Sequence, residues 1–558
     1  MTSEHRQVAA LGRPLTLGML YDARKDELIP GLTLWDEKTL EEKNVETPQP
    51  SSSYEISTSD SIESKSSMLK VSASLQASFM GGLFSVSGSA EYMKDTKHSQ
   101  NQSRVTFQNI TTTTFKQLSM IDMITLNEKQ TELIKKGTAT HVVTGIVYGA
   151  NCFFVFDSEK VDSSEVQDIS GKMKAMLNKI PEFDFQAEAE VKLTAEEKKL
   201  TNQFSCKFYG DLLLKSNPAT FMEAVQTYKD LPNLLGKNNE NCVPQTVWLM
   251  PLTDLDSKAV TVKSALSQAL VRKMQDTLEG LRKVEMRCND ALADMVVQSF
   301  PPIQKKVQRF KNLCEDYEDD IRKTFAEKLL HVREGKEDEG ALMKVFQIRE
   351  NSPFSSEQFN KWMDDKEREI NVVRSCLDIL KGVKILPNKS ELDKVILDTQ
   401  VEIKLCYAFT SLESPDPSLD AMTSFLASGE TQSTEEVPWF YSDDVLQEMR
   451  KLAVDAMTVT SGDNNILFIS AIPNEEHKGV YLYTYKNSIP YKKEGITEYQ
   501  NVTYRAELFS YWTAGSLSFY NLVGSKSKHL YTFYTKFSEP VYPAFAVVKD
   551  SNYVELKL

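Results

Sequence analysis

The sequence predicts a multidomain α+β protein that contains, in order, a strand-rich domain, a helical bundle, an α/β domain and a short β-rich segment. Three observations predict this class. Apolar runs typical of strands fill the first part, apolar residues at three-to-four spacing fill the middle, and strands then alternate with helices. With 558 residues, the chain can form three or four separate cores. We place the regions at residues 1–256, 257–384, 385–503 and 504–558.

The first region contains a long apolar run at residues 141–156, which is typical of a central strand buried on both faces. Gly145 and Gly149 lie inside this run and should weaken it, so they predict a bend in the strand. Further strands are predicted near residues 54–56, 105–107 and 204–214.

The second region has the apolar periodicity of amphipathic helices. Leu270, Met274, Leu278 and Leu281 recur at three-to-four spacing among charged residues. Short breaks between the periodic stretches favour an antiparallel bundle. The predicted helices are residues 261–297, 303–332 and 356–380.

The third region alternates strands and helices, a pattern that suggests thioredoxin architecture. Its one cysteine, Cys406, has no partner at C-x-x-C spacing, so redox catalysis has no support. The last region, from residue 506, is predicted to form a few strands that are too small to fold alone. The strands predicted for the third region are residues 403–409, 466–469 and 480–485, and its helices are residues 419–426 and 443–457.

Composition and motif content exclude several classes of protein. A formal net charge of -14 and the lack of a basic, aromatic cluster argue against nucleic acid binding. The histidines and the seven scattered cysteines show no metal or redox spacing, and no nucleotide-binding or hydrolase motif occurs. We therefore expect no enzyme, cofactor, metal or small-molecule substrate. No apolar run is long enough for a transmembrane helix, and the N-terminus lacks a classical signal peptide.

Two segments, residues 69–79 and 183–193, alternate apolar and polar residues with a period of two. This period is typical of a strand with one apolar face, and about nine to eleven tilted residues also suffice to cross a bilayer. A half-buried sheet in a soluble protein is the alternative interpretation for either segment.

The first alternating run continues into a predicted hairpin. Met80-Gly81-Gly82-Leu83 predicts a turn with an apolar tip, and a second alternating run follows it. Around residues 183–193, helical signals compete with the extended interpretation. Apolar residues before that run keep helical spacing, and Thr194 with Glu197 predicts a capping box. The side chains predicted to enter a membrane are Leu69, Val71, Leu75, Phe79, Met80, Leu83, Phe84, Val86, Phe183, Phe185, Val191 and Leu193. Those predicted to face an aqueous lumen are Lys70, Gln76, Asp184, Glu188, Glu190 and Lys192.

Several motifs resemble the stonustoxin family of fish cytolysins, part of the perforin and cholesterol-dependent-cytolysin (MACPF/CDC) superfamily. The superfamily's sheet-bend signature is partial, because Val142 and Ala150 replace an aromatic residue and a glycine. The resemblance covers roughly residues 8–500. The matching motifs are residues 10–24, Ser64-Lys-Ser-Ser67, Asn101-Gln-Ser-Arg104 and Ala139-Thr-His-Val-Val143, and the sheet-bend residues are Thr140, His141, Gly145 and Gly149.

The resemblance implies a MACPF/CDC-like bent-sheet domain, a helical bundle like a focal-adhesion-targeting (FAT) domain and a thioredoxin-like domain without active cysteines. It also implies two regions that refold from helical clusters into membrane hairpins. We name residues 61–102 segment 1 and residues 161–203 segment 2. Residues 508–533 resemble only the last strands of the SPRY β-sandwich with which family members end, so most of that domain is expected to be missing.

We therefore hypothesise a secreted, pore-forming cytolysin that oligomerises on a lipid membrane, with copies of itself or with a related subunit. Each subunit would insert two amphipathic hairpins into a closed transmembrane sheet, giving haemolytic activity. The alternative is a perforin-like scaffold or interaction protein that never inserts and acts in the cytoplasm or in immunity. The missing leader and the truncated SPRY both favour that alternative, although family members act from venom without an obvious leader.

Overall fold

The computed structural model describes residues 5–119, 126–182, 193–262, 266–430, 437–459, 465–491, 506–511, 516–523 and 526–534. Within these ranges, the chain divides into two compact units, with the break between Pro490 and Tyr491. In the part of the chain that is described, no helix is both long enough and apolar enough to cross a bilayer.

The first unit begins with an antiparallel sheet centred on β6 (His141–Lys160), which spans 20 residues. On one side β6 pairs with β5 (Gln102–Leu118), and on the other side it pairs with β8 (Val243–Pro251) and then with β7 (Phe204–Gly210). Val155 and Phe156, neighbours on β6, are buried in different apolar clusters, so both faces of the strand are covered and the predicted central strand is confirmed. The strands described in this sheet are β1 (Arg6–Ala9), β2 (Met19–Asp22), β3 (Glu27–Thr33), β4 (Asn44–Ser57), β5 (Gln102–Leu118), β6 (His141–Lys160), β7 (Phe204–Gly210) and β8 (Val243–Pro251).

Short helices surround this sheet, and most begin at a side chain that accepts a hydrogen bond from the first turn. Ser61, Ser72, Thr194 and Thr220 each do so, as Ser and Thr are suited to do. Residues 69–79, predicted as a strand, are therefore largely helical here. The helices described around the sheet are α1 (Glu37–Lys43), α2 (Ile62–Met68), α3 (Ala73–Met80), α4 (Glu128–Lys135), α5 (Val166–Leu177), α6 (Ala195–Thr201) and α7 (Phe221–Leu234).

The predicted helical bundle is confirmed. Its first helix begins at Gln268 rather than near residue 261, because the Ser267 side chain caps it by accepting from the Leu270 amide. Phe310 stacks on Trp362, and Tyr317 stacks on Phe354. The helices predicted at residues 303–332 and 356–380 therefore run antiparallel to each other. The helices are α8 (Gln268–Leu292), α9 (Met295–Ser299), α10 (Pro301–Glu334), α11 (Glu339–Glu350) and α12 (Ser356–Ile379).

The α/β region also folds as predicted. Its sheet has the order β13-β12-β10-β11-β9, in which β10 is parallel to β11 and antiparallel to β12. Cys406 is buried on β10, and burial raises the pKa of its thiol, which keeps it protonated. The elements are β9 (Lys384–Leu386), α13 (Lys389–Leu397), β10 (Ile403–Phe409), α14 (Pro417–Ser428), α15 (Asp443–Val459), β11 (Asn465–Ala471), β12 (Val480–Lys486) and β13 (Ile489–Tyr491).

In the second unit, the described residues form an antiparallel sheet in the order β14-β15-β16. This agrees with the predicted strands after residue 506. Its assignment to a SPRY fragment stays a prediction, as do the four domain boundaries. The strands are β14 (Ala506–Tyr511), β15 (Ser516–Val523) and β16 (Lys526–Tyr534).

Candidate functional site

Each of the two segments connects a pair of neighbouring antiparallel strands. Segment 1 joins β4 to β5, whose pairing ends with Ser57 opposite Thr106. Segment 2 joins β6 to β7, whose pairing ends with Ser158 opposite Phe204. Since Gln102 on β5 lies opposite Lys160 on β6, the two strand pairs terminate at the same end of the sheet. Both segments therefore leave the sheet in one direction.

Segment 1 is folded as two short helices followed by a 3-10 turn. The backbone reverses between α2 and α3 at Lys70, which has a positive φ of 53°. The predicted hairpin turn at Met80–Leu83 is wrong for this state, because Gly81 ends α3 as its C-cap. Serine caps and tertiary burial override the period-two pattern here.

The apolar face predicted for segment 1 is hidden from water. Leu75 is 1% exposed, and the polar Gln76 beside it is also buried. The Gln76 Nε2 atom has no hydrogen-bond partner among the described residues, which costs the folded state free energy. Of the predicted membrane-inserting side chains, Leu69, Leu75, Met80 and Val86 are buried and Val71, Phe79, Leu83 and Phe84 are partly buried.

Helix α3 lies between the sheet domain and the end of α10. The Arg333 side chain, 1% exposed, donates from Nη2 to the Ser74 carbonyl at 2.8 Å and from Nη1 to Ser78 Oγ at 2.6 Å. The same guanidinium lies 3.2 Å from Asp26 Oδ2, and Ser78 Oγ donates to that oxygen at 2.5 Å. We name Arg333, Asp26, Ser74 and Ser78 the α3 clamp. It joins the helical bundle, segment 1 and the β2–β3 turn.

Further contacts attach segment 1 to the bundle. Arg322 on α10 donates to the Met80 carbonyl at 2.6 Å, and the Ile62 amide donates to Glu279 on α8 at 2.5 Å. The side chains of Ile62, Ala77 and Met80 are members of the apolar cluster that forms the bundle core. Segment 1 is therefore partly a component of the helical domain.

A buried group of charges lies under the start of segment 1. Lys65 on α2 pairs with Asp60 at 2.8 Å, and Arg104 on β5 pairs with Asp60, Asp95 and Asp157. Burial opposes the charge of Asp60, but Lys65 and Arg104 outweigh it and lower the pKa of that carboxyl below its usual value. Burial lowers the pKa of Lys65 in spite of its partner. The group ties α2 to the sheet.

Segment 2 has different surroundings. In its helix α5, Met173, Met176 and Leu177 are buried at the helical spacing that the sequence predicted. They join an apolar cluster whose buried members all lie between residues 105 and 231, within the sheet domain. Ser103 Oγ donates to the Val166 carbonyl at 2.5 Å. Segment 2 is held by the sheet and by α7.

The predicted capping box is confirmed, because Thr194 and Glu197 exchange hydrogen bonds at the start of α6. Leu193, predicted to enter the membrane, is partly buried against the same cluster as Met173. The other segment 2 positions that were predicted to insert or to face a lumen are Phe183, Phe185, Val191, Asp184, Glu188, Glu190 and Lys192, and they lie outside the described residues.

Two of the predicted sheet-bend residues, Gly145 and Gly149, lie at or next to register shifts of β6. Its register with β8 shifts between Val143 and Gly145. A Cβ on Gly149 would lie 2.0 Å from the Thr111 carbonyl oxygen, so only glycine fits. Before them, Thr140 Oγ1 accepts from the Ala23 amide at 2.8 Å. Bulges bend strands, so this geometry supports the bend, which stays a prediction. His141 Nδ1 lies 2.8 Å from Thr140 Oγ1.

No group of His, Cys, Asp and Glu side chains that could hold a metal occurs in the ranges that the structure describes. All seven cysteines are free, and all but Cys242 are buried. A groove of about 700 Å³ separates the beginnings of both segments from α8, and its lining residues include Asp60, Val166 and Arg282.

The fold, with two helical segments at one end of its central sheet, defines the class as MACPF/CDC-like. Three family profiles match: a SNTX, MACPF/CDC-like domain over residues 5–230, a stonustoxin helical domain over 276–371 and a thioredoxin-like SNTX domain over 382–494. The chain belongs to the stonustoxin family of fish cytolytic toxins, which confirms the resemblance in the sequence.

Relatives and a solved structure agree with this assignment. Stonustoxin subunit beta of Synanceia horrida is 46% identical over 499 residues, which cover 88% of this chain and 71% of the relative. Cytolytic toxin-alpha of Scorpaena plumieri is 43% identical over 516 residues, covering 90% and 73%. A solved stonustoxin structure superposes with a TM-score of 0.72 at 32% identity, covering 96% of this chain and 97% of that one.

Proposed function

We propose that this chain is a subunit of a secreted, non-enzymatic cytolysin that assembles on a target-cell membrane and inserts segments 1 and 2 as amphipathic hairpins. The observation that carries the proposal is the connection of each segment to a pair of neighbouring antiparallel strands. Unfolding a segment would lengthen an existing strand pair and would leave no unpaired backbone at the join. That matters because unpaired backbone groups are not tolerated in lipid.

The dimensions of the segments suit this role. Each supplies roughly twenty residues per hairpin strand, which at about 3.3 Å per residue exceeds the roughly 30 Å of a bilayer core. In the extended form, the alternating pattern would place Leu75 and Phe185 toward lipid and Asp184, Glu188 and Glu190 toward the lumen. The acidic excess in that lumen favours cations.

The subunit partner follows from the relatives. Stonustoxin and neoverrucotoxin are described as having alpha and beta subunits. We infer that this chain assembles either with copies of itself or with one related subunit, and that it needs no nucleic acid, cofactor or small-molecule substrate. No comparison favours the non-inserting scaffold.

A matched pair of substitutions tests the proposal. Phe185→Arg places a charge on the predicted lipid face, at a cost of about 2–4 kcal/mol per strand near the bilayer centre. Gln186→Arg places the same charge on the predicted lumen face of the same strand. Leu75 is unsuitable for this test because it is buried in the folded body.

We expect Phe185→Arg to abolish lysis of washed erythrocytes and Gln186→Arg to leave it within a few-fold of the parent, with unchanged circular dichroism for both. Negative-stain images of the lysed membranes should show rings. Lysis by Phe185→Arg at the parent's rate would contradict the hairpin assignment.

A further inference from the structure

We propose that the helical domain gates segment 1 alone, so that segment 2 can leave the folded body while segment 1 is still held. The proposal rests on the proposed function for its membrane arm. It assigns a release function to the contacts between α10 and α3. The two segments then respond to separate events: movement of the helical domain for segment 1, and loosening of the sheet domain for segment 2.

The α3 clamp explains why segment 1 depends on the bundle. Arg333 makes hydrogen bonds to Ser74, to Ser78 and to the Arg24 carbonyl, besides its ion pair with Asp26. If α3 left while α10 stayed in place, the guanidinium would lose its partners on Ser74 and Ser78 inside a buried site. Buried charges are costly when their partners are removed. Movement of α10 away from the sheet exposes Arg333 to water and removes that cost.

The remaining contacts of segment 1 act in the same direction. Arg322 holds the Met80 carbonyl at the C-terminal end of α3, and Glu279 holds the Ile62 amide at the N-terminal end of α2. The bundle thus makes hydrogen bonds to the start of α2 and to the end of α3. Since Ala77 and Met80 also fill the bundle core, extraction of α3 exposes apolar surface on both sides.

In the described parts of segment 2, residues 161–182 and 193–203, no hydrogen bond or ion pair to the bundle equivalent to the α3 clamp occurs. The cluster around Met173 and Leu177 draws its buried side chains from the sheet domain, and the ion pair of Lys179 with Glu197 lies within the segment itself. These contacts do not change when the bundle moves. The described part of segment 2 is therefore held by contacts outside the helical domain.

A disulfide can lock the gate without removing any native contact. A Cβ built on Gly81 lies 3.4 Å from the Cβ of Ala326 on α10, near the separation of about 3.8 Å that a disulfide prefers. Gly81 has right-handed helical angles, so a cysteine fits there. The variant combines Gly81→Cys with Ala326→Cys, and the single Gly81→Cys chain is its control.

The readout is hydrogen exchange followed by mass spectrometry, with the protein in solution and then on erythrocyte membranes. For the oxidised variant we expect the exchange of residues 161–203 to change at least threefold on membranes, while residues 61–102 keep their solution rates. Reduction should release both segments. If oxidation holds both segments at their solution rates, or if both change in the oxidised chain, the gate is wrong. If neither segment changes in the reduced variant or the control, the proposed function fails instead.

A measurement in solution tests the gate without a membrane. Arg333→Met should raise exchange of residues 73–80 by about 10- to 100-fold and leave residues 166–177 unchanged. Arg309→Met is the control, because Arg309 also lies on α10 but pairs with Asp420 at an exposed site. An equal rise in both helices, or no rise at residues 73–80, would overturn the proposal.

Discussion

Segments 1 and 2 have the same alternating pattern and leave the same end of the sheet, yet the folded chain holds them differently. Segment 1 packs into the helical bundle through Ala77 and Met80 and is clamped by Arg333. Segment 2 packs on the sheet through Met173 and Leu177. The same alternating pattern is therefore packed against two different parts of the folded chain: the helical bundle for segment 1 and the sheet domain for segment 2.

The largest expected effect comes from removing one buried methionine side chain from the apolar cluster that holds each segment. Met80 and Met173 are the same residue type, both are 0% exposed, and each belongs to a helix of one segment. Met80→Ala and Met173→Ala should each lower the free energy of unfolding by about 2–5 kcal/mol, since both leave a cavity. Denaturant unfolding checks the size of the loss.

Hydrogen exchange in solution then separates the two variants. Met80→Ala should loosen residues 73–80 and the facing part of α8, whereas Met173→Ala should loosen residues 166–177 and α7. If either variant raised exchange equally in residues 73–80 and 166–177, the two segments would be held by a common set of contacts rather than by separate ones.

Acid should weaken segment 1 more than segment 2, because the Asp60 group ties α2 to the sheet. The pKa of Asp60 is lowered in the folded state by Lys65 and Arg104, against the effect of burial. Its stabilisation is therefore fully present above the unfolded value of about 3.9 and is lost as pH falls through the lower folded value.

Asp60→Asn should cost about 1–3 kcal/mol at pH 7 and flatten this acid-dependent loss. Unfolding free energies measured from pH 7 down to about pH 3 for the parent and the variant test it. Asp420→Asn serves as the control, because Asp420 is exposed and should change little. Identical pH profiles for the parent and Asp60→Asn would show that the Asp60 carboxylate does not contribute to the acid-dependent loss of stability.

The smallest effect concerns a glycine in the middle of α5. A Cβ at Gly171 meets no atom within 4 Å, so Gly171→Ala should stabilise α5 by about 0.5–1 kcal/mol through helix propensity alone. Exchange of residues 166–177 should slow by about two- to fivefold, because that much free energy changes an opening equilibrium by this factor.

Gly280→Ala in α8 is the matched control, because its Cβ would meet only ordinary contacts at 3.8 Å or beyond. It should stabilise the bundle and leave exchange in α5 unchanged. Slower exchange in α5 for Gly280→Ala would show that the bundle also holds segment 2.

Much of the fold was predictable from periodicity. The run at residues 141–156 became the central strand because apolar residues on both faces fit only a covered strand, and the spacing of Met173, Met176 and Leu177 identified α5. For residues 69–79, periodicity gave the wrong secondary structure. Their alternation was interpreted as a strand, but capping by Ser72 and burial against the bundle make residues 73–80 helical in this state.

The clamp could not be predicted from the sequence. Arg333 stands near the end of an amphipathic helix, where a basic residue is ordinary, and nothing in its neighbours marks it as buried. Its role depends on Asp26 and Ser78, which lie more than two hundred residues away and meet it only through tertiary packing. Such contacts leave no local pattern.

The most direct test of the account is haemolysis by the Gly81→Cys, Ala326→Cys variant before and after reduction. We expect no lysis while the disulfide joins α3 to α10, and lysis at the parent's rate once the disulfide is reduced. Equal lysis by the oxidised and reduced protein would contradict the claim that segment 1 must leave the helical domain.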